Sequence, residues 1–513
     1  MRGERVAIIG AGIGGLTCGL GLAARGIGVV IVEKSAEPGG KMRRVAIEGR
    51  QIDCGPTVLT MRPVFEEIFA AAGSSLTSHL TLRPAEILAR HAWSEHERLD
   101  LFSDIDRSAD AIARFSSPQE AKGYVEFCAR ARRIYDSLDA PFIRSARPSL
   151  NGLIGAFGLR RLGDLWQISP FVSLWAALGE HFKDPRLRQL FGRYATYCGS
   201  SPFSAPATLM LVAHVEREGV WLVDGGMHRL AQALAALAKK AGAELRYRAE
   251  ASSVIVERGR ARGVTLASGE RIDADAVVVN ADPSALGAGC FGASATAASP
   301  PMPRGARSLS AITWAMVSST DGFPLVRHNV FFSSDYAGEF EHLRHGKLPL
   351  HPTVYVCAQD RDGAETRRNP STAAEALFCL VNAPASGDTN SIEPAEINQC
   401  KERTFALLRR YGLRLERQSK TVTTTPRDFE RLFPATGGAL YGQASHGWMA
   451  SFRRPGSRTR IPGLYLVGGS THPGPGVPMA AISGRLAARA VVDDFASIRR
   501  FHRAAMSGGT STR

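Results

Sequence analysis

One glycine turn constrains this chain more than any other feature. Val6-Ala7-Ile8-Ile9 is a short apolar run suited to a strand buried on both faces, and Gly10-x-Gly12-x-x-Gly15 follows it at once. Residues 14–25 carry a compact helical pattern ending near Gly26, and Val29–Val32 reads as a second strand closed by Glu33. Strand, glycine turn, helix, strand and acid in that order form a unit that binds a dinucleotide. Gly10 permits the tight turn, Gly12 admits a pyrophosphate to the backbone, and Gly15 lets the helix pack closely on the strands. Together with Gly14 they set the phosphates at a helix N-terminus, whose unpaired N–H groups and dipole attract anions. Glu33 is placed to accept hydrogen bonds from a ribose. A lone GxGxxG says little, because glycine turns are common; the strand–helix–strand context gives it weight.

A chain of 513 residues exceeds what one core supports, so two interleaved domains are expected. A hydrophobic share of 44% and a charged share of 22% fit a globular protein with an apolar cavity and exclude general disorder. Lys and Arg number 63 against 48 Asp and Glu, a net charge of +15 that favours an anionic partner. No zinc finger, basic zipper or RNA-binding aromatic motif accompanies it, so a lipid surface is expected and nucleic acid is not. The eight cysteines form no CxxC pair and no ligand cluster, which reads as reduced thiols in the cytoplasm and no metal. The Gly-rich start superficially resembles a signal peptide, but its glycines keep dinucleotide-fold spacing and it reads as folded structure. No uncharged apolar run is long enough to span a bilayer, so membrane contact is expected to be peripheral.

Two further segments favour FAD over NAD. Pro38-Gly39-Gly40-Lys41-Met42-Arg43 is a Gly-Gly turn followed by cations just past the ribose-binding acid. Near the other end, the strand-like Gly463–Val467 runs into Gly468-Gly469, then a Pro/Gly-rich loop to Pro478, then a small-residue helix from Met479 to about Val492. A helix so poor in side chains is expected to lie against a flat ring, its N-terminus stabilising negative charge on a reduced flavin. No second GxGxxG at strand–helix spacing is evident, so electrons are expected to leave to oxygen or a membrane quinone rather than arrive from NAD(P).

These segments, with Asp53-Cys54-Gly55-Pro56-Thr57-Val58 and Val220–Met227, resemble the carotenoid desaturase branch of the flavin amine oxidase superfamily over nearly the whole chain. Gly40–Arg43, Gly55–Phe69, Asp184–Pro202 and Gly225–Leu234 look most like the 1-hydroxycarotenoid 3,4-desaturases of purple bacteria. The resemblance implies an α/β fold: a Rossmann-type FAD-binding domain (residues 1–75, 215–290 and 455–495) interleaved with an α+β substrate domain (76–214 and 291–454), then a basic tail (496–513). It adds Gly55, Pro56 and Thr57 to the expected cofactor contacts, beside Gly10, Gly12, Gly14, Gly15, Glu33, Lys41, Arg43, Gly468, Gly469, Pro478 and Met479. It implies C3–C4 desaturation of a carotenoid in acyclic, spheroidene- or spirilloxanthin-type biosynthesis, at the cytoplasmic side of the inner photosynthetic membrane.

Alternatives stay open. A phytoene desaturase shares most of these features, and a flavin amine or porphyrinogen oxidase would share the cofactor domain. A flavin-free lipid-binding relic and a simple NAD dehydrogenase fit the intact glycine motifs and the C-terminal block less well. Gly437–Gly442, including Tyr441, is expected by resemblance to line the flavin's substrate face, though Tyr441 reads equally as a packed aromatic. His228, His446 and His472 lie nearest the motifs, but a lone histidine is more often structural, so no catalytic base is assigned. Leu165–Leu178, with Trp166, Phe171 and Trp175, reads first as core packing and second as a dip into a bilayer surface flanked by Arg130, Arg132, Arg133, Arg160 and Arg161.

Overall fold

The computed structural model describes residues 3–146, 171–361, 374–389, 392–418, 420–447 and 449–507. A five-stranded sheet carries the glycine turn. Its order is Leu464–Leu466, Ala276–Val279, Arg5–Ile9, Gly28–Glu33 and Glu244–Tyr247, and every pairing is parallel. Along the central strand, Val6 and Ile8 join one apolar cluster while Ala7 and Ile9 join another. That is the period-two pattern of a strand covered on both faces. Helices Ile13–Ala23, His228–Lys240 and Val477–Ser507 add to the first cluster, and the antiparallel strands Ala251–Glu257, Arg260–Leu266 and Arg271–Asp273 add to the second.

The substrate half is built on an eight-stranded mixed sheet. Ser310–Gly322, Glu375–Ala383, Val354–Ala358 and His328–Phe331 are joined antiparallel, and His328–Phe331 pairs in parallel with Ile87–Ala92. Helices Pro118–Leu138, Leu174–His181, Pro185–Gly192 and Leu211–Arg217 pack into the same apolar cluster as Val6, Ile8 and the three cofactor-side helices.

Three expectations change. The C-terminal helix does not stop near Val492 but runs from Val477 to Ser507, taking in most of the supposed tail. Arg130 is not a free surface cation, since it pairs with Glu180 at 2.7 Å. The C-terminal helix is small for a reason other than a flat ring: a Cβ on Gly484 would lie 2.6 Å from the Gly14 carbonyl and 2.7 Å from Thr17 Cβ. Its small face is therefore packed on the first helix, backbone against backbone, and only its first turn reaches the cavity described below. Trp175 packs against Phe203 and Tyr336, whereas Phe171 is 68% exposed. Arg160, Arg161 and Trp166 lie outside the described residues. Among the described residues no helix is long and apolar enough to cross a membrane, and no group of His, Cys, Asp and Glu could hold a metal ion. All eight cysteines are unpaired.

Candidate active site

The glycine turn is built by steric exclusion. Gly10 takes φ +96°, a left-handed value that favours glycine, and its N–H donates to Val32 O at 2.8 Å. Asn280, at the end of the neighbouring strand, donates from Nδ2 to Gly10 O at 3.2 Å. A Cβ on Gly12 would come within 2.8 Å of that same Nδ2, and one on Gly14 within 2.9 Å of Gly468 Cα. Asn280 thus sits between the two glycine turns, a residue that motif reading missed because nothing around it is glycine-rich. Gly12 is the N-cap of the first helix and offers no side-chain cap, so the N–H groups of the first turn stay free for an anion. Glu33 is buried; it accepts the Ala11 N–H at 2.8 Å through Oε2 and the Ser35 N–H at 2.9 Å through Oε1, which fixes its carboxylate in the wall with lone pairs to spare.

A cavity of about 1090 Å³ opens from this turn, just above the usual range for small-molecule sites. Gly10, Gly12, Gly14, Glu33, Lys41, Arg43, Gly55, Pro56, Thr57, Gly468, Gly469, Pro478 and Met479 all line it. Gly15 does not; it packs beneath, where a Cβ would collide with the Gly10 carbonyl. Lys41 Nζ donates to Leu440 O at 2.5 Å and lies 5.3 Å from the centre of the Phe433 ring. Burial pushes its pKa down, and Asp282 opposes that. Arg43 donates to Thr424 Oγ1 at 2.8 Å, while its Nε has no partner. The cations after the Gly-Gly turn therefore face the cavity, joined by Arg454, which motif reading also missed.

Asp53 explains why two separate motifs belong together. Its buried carboxylate accepts the N–H groups of Met227 at 2.6 Å and His228 at 3.4 Å, holding the start of helix His228–Lys240 against the loop that carries Gly55-Pro56-Thr57. Burial raises its pKa, and those two N–H groups work against the rise.

The three motif histidines are backbone hydrogen-bonders. His228 Nε2 is 2.8 Å from Pro38 O, His446 Nε2 accepts the Ser201 N–H at 3.2 Å, and His472 Nε2 is 2.9 Å from Phe142 O. Burial holds His472 down to about 4. Leu440 and Tyr441 line the cavity.

Away from the glycine turns the wall is mostly apolar, with Leu138, Phe142, Ile143, Leu209, Val212 and Phe452. Polar groups interrupt it at several points, and two of these are clusters whose members, Thr57 apart, were not expected as contacts. Thr57 Oγ1, Tyr355 OH and His328 Nδ1 form a chain with two 2.7 Å links. Arg193 lies with its guanidinium 4.9 Å from the centre of the Tyr197 ring, and Tyr194 and Tyr197 both donate to Glu216. The distances between residues 57, 193, 328 and 355 in sequence are what hid this grouping.

A dinucleotide turn at the start of the chain, a second glycine turn beside it and a deep cavity between the halves define a flavoprotein oxidoreductase. The family of flavin containing amine oxidoreductases matches residues 13–492, and the chain belongs to it. Its cofactor is FAD. The chain is 55% identical to the hydroxyneurosporene desaturase of Rubrivivax gelatinosus over 100% of its own length and 98% of the relative's. It is 43% identical to the hydroxyneurosporene desaturase of Cereibacter sphaeroides, covering 97% and 99% of the two chains. A putrescine oxidase structure superposes with a TM-score of 0.60 over 96% of this chain and 99% of that one at 16% identity, which shows the fold alone. The residues present fit FAD: the cradle at Gly12 and Gly14 has no room for a side chain, and Glu33 and the uncapped helix stand at its two sides.

Proposed function

We propose that this chain desaturates the C3–C4 bond of a 1-hydroxycarotenoid, forming an acyclic photosynthetic carotenoid. The observation that carries this reading is a large, mostly apolar cavity continuous with the cofactor cradle, in a chain so like the two desaturases along its whole length. In this reading the Gly10–Gly14 turn and helix N-terminus hold the pyrophosphate and Glu33 the ribose. Lys41, Arg43, Gly55–Thr57, Gly468, Gly469, Pro478 and Met479 surround the remainder of the cofactor.

When bound, FAD takes up the two electrons of the departing hydride. The chain's own contribution is orientation and water exclusion: apolar side chains hold the polyene in register, and a dry wall keeps the allylic cation from capture before the neighbouring proton leaves. Loss of a hydride from one carbon, to the flavin, and of a proton from the next, ultimately to solvent, leaves the new C=C bond.

The electrons then pass to oxygen or a membrane quinone. Contact with the cytoplasmic face of an anionic membrane is supported by the +15 charge and by Phe171, which is exposed and also belongs to the cavity wall. Flotation with anionic liposomes at low salt tests that contact, and a protein that stays at the bottom of the gradient refutes it. The reaction is tested by incubating holoprotein and liposomes with a 1-hydroxycarotenoid and with phytoene in parallel. A red shift of the polyene band with the hydroxylated substrate alone is expected. Conversion of phytoene instead moves the enzyme to an earlier step, and no shift with either refutes the reading.

A further inference from the structure

We propose that Arg193, together with the Thr57–Tyr355–His328 chain, forms the subsite that receives the C1 hydroxyl of the substrate and so sets the enzyme's preference for hydroxylated carotenoids. This rests on the reaction proposed above. Three observations lead to it.

The first is position. A hydroxyl on C1 is two bonds from C3, so its partner must lie beside the reacting bond and not far along the polyene channel. Thr57 meets that requirement: it follows Gly55 and Pro56 in the loop packed against the Lys41 carbonyl, inside the cofactor cradle. Its hydroxyl is 2.7 Å from Tyr355 OH, which is 2.7 Å from His328 Nδ1.

The second is an unmet need. Arg193 is 6% exposed and lines the cavity, yet its Nε and Nη2 have no hydrogen-bond partner. Tyr197, Glu216 and Tyr194 lie near enough to favour its charge, but they leave Nε and Nη2 without a partner. Glu216, the acid of this cluster, takes hydroxyl donations from Tyr194 and Tyr197. Buried polar groups are nearly always satisfied, so this guanidinium is under-satisfied beyond its stacking on the Tyr197 ring. Nε and Nη2 are shut off from the cavity, so a polar ligand atom meets Arg193 through the part of the side chain that lines it.

The third is chemical complementarity. A hydroxyl both donates and accepts. Arg193 can only donate. Burial, with the charges of Arg327 and Arg193 adding to it, holds His328 down to about 3, so the ring is neutral and Nδ1 serves as donor or acceptor according to tautomer. The Thr57–Tyr355–His328 chain can therefore run in either direction and accept the hydroxyl proton that Arg193 cannot. A substrate ending in a hydrocarbon leaves both groups facing methyls, and a site built for a hydroxyl discriminates strongly against such an analogue.

The test compares Arg193→Met, Arg193→Lys and Tyr355→Phe holoproteins with the wild type on two substrates, a 1-hydroxycarotenoid and the same polyene without the hydroxyl. Binding of the 3,4-desaturated hydroxylated product is read separately from the perturbation of the flavin spectrum, without turnover. R193M is expected to lower the hydroxyl preference in kcat/KM by about ten- to a hundredfold and to weaken product binding by a similar factor. R193K is expected to recover part of both. Y355F, which removes a single oxygen atom, carries the test if R193M fails to accumulate with flavin, and is expected to lower the preference by about three- to tenfold. Equal losses on both substrates, or an unchanged preference, overturn the subsite and leave the reaction standing. A wild type that converts both substrates equally well has the same meaning. A wild type that converts neither overturns the proposed reaction and the subsite with it.

Discussion

Glu339 offers a test of the packing behind the substrate wall. It is 2% exposed and accepts hydrogen bonds from Thr353 N at 3.1 Å, Thr353 Oγ1 at 2.6 Å and Asn382 Nδ2 at 3.3 Å. Thr353 and Asn382 both line the cavity, so Glu339 anchors that wall from behind. Burial outweighs the three donors and raises its pKa from 4.5 to about 7. At about 1.4 kcal/mol for each tenfold change in proton affinity, the difference amounts to about 3 kcal/mol. The folded protein holds this proton more tightly than the unfolded chain does. The stability it confers is therefore complete below pH 4.5 and is lost as pH rises through about 7. Glu339→Gln keeps the shape and removes the ionisation. Urea denaturation of both proteins from about pH 4.5 to about pH 8 gives the stability difference at each pH, in which contributions from groups common to both cancel. Wild type should lose about 3 kcal/mol relative to E339Q across that range, whatever constant offset the amide introduces. A difference that stays flat would mean that Glu339 is ionised throughout, and the argument from its burial would fail.

Three further outcomes follow from the cofactor half. Gly12→Val places its Cβ 2.8 Å from Asn280 Nδ2 and fills the pyrophosphate cradle; it should purify colourless, and a full yellow flavin spectrum would contradict the assignment. Gly484→Val forces a Cβ to within 2.6 Å of the Gly14 carbonyl, so it should lower thermal stability by about 1–3 kcal/mol and reduce flavin content through the displaced turn, read from the melting curve and the 450 nm region; native stability and full flavin would refute the packing. His472, held down to about 4 by burial, confers stability that is present above pH 6.5 and lost as pH falls toward 4; His472→Asn should flatten the acid limb of stability against pH by about 3 kcal/mol, and an unchanged limb would refute this.

The cofactor turn was legible because close approach by Asn280 and Gly468, both remote in sequence, excludes any side chain at closely spaced positions, and an excluded Cβ leaves a visible mark at Gly10, Gly12 and Gly14. The strand at Ala276–Val279 and the helix at His228–Lys240 were legible for a different reason, periodicity within one segment. The small C-terminal helix shows the limit of that logic. A run of Ala, Ser and Gly records close approach by something, and the sequence cannot say whether that is a ring or another helix; here Gly484 meets the backbone of Gly14 and Cys18.

The substrate wall was not legible because its chemistry is tertiary. Thr57, Arg193, His328 and Tyr355 come from a loop, a 3₁₀ turn and two neighbouring strands of one sheet, and only Thr57 belongs to a segment that the sequence marked as a contact. His328 and Tyr355 are near one another only because Val330 pairs with Tyr355 and His328 with Cys357 across that sheet. This division has a functional consequence. Backbone geometry at the glycine turns serves any substrate, so a putrescine oxidase can share the fold at 16% identity. Side chains on the sheet can change without disturbing the cradle, since only Thr57 belongs to both. Specificity in such a chain therefore rests on side chains outside the glycine turns, and substitutions at Arg193 or Tyr355 should alter substrate choice while leaving flavin content intact.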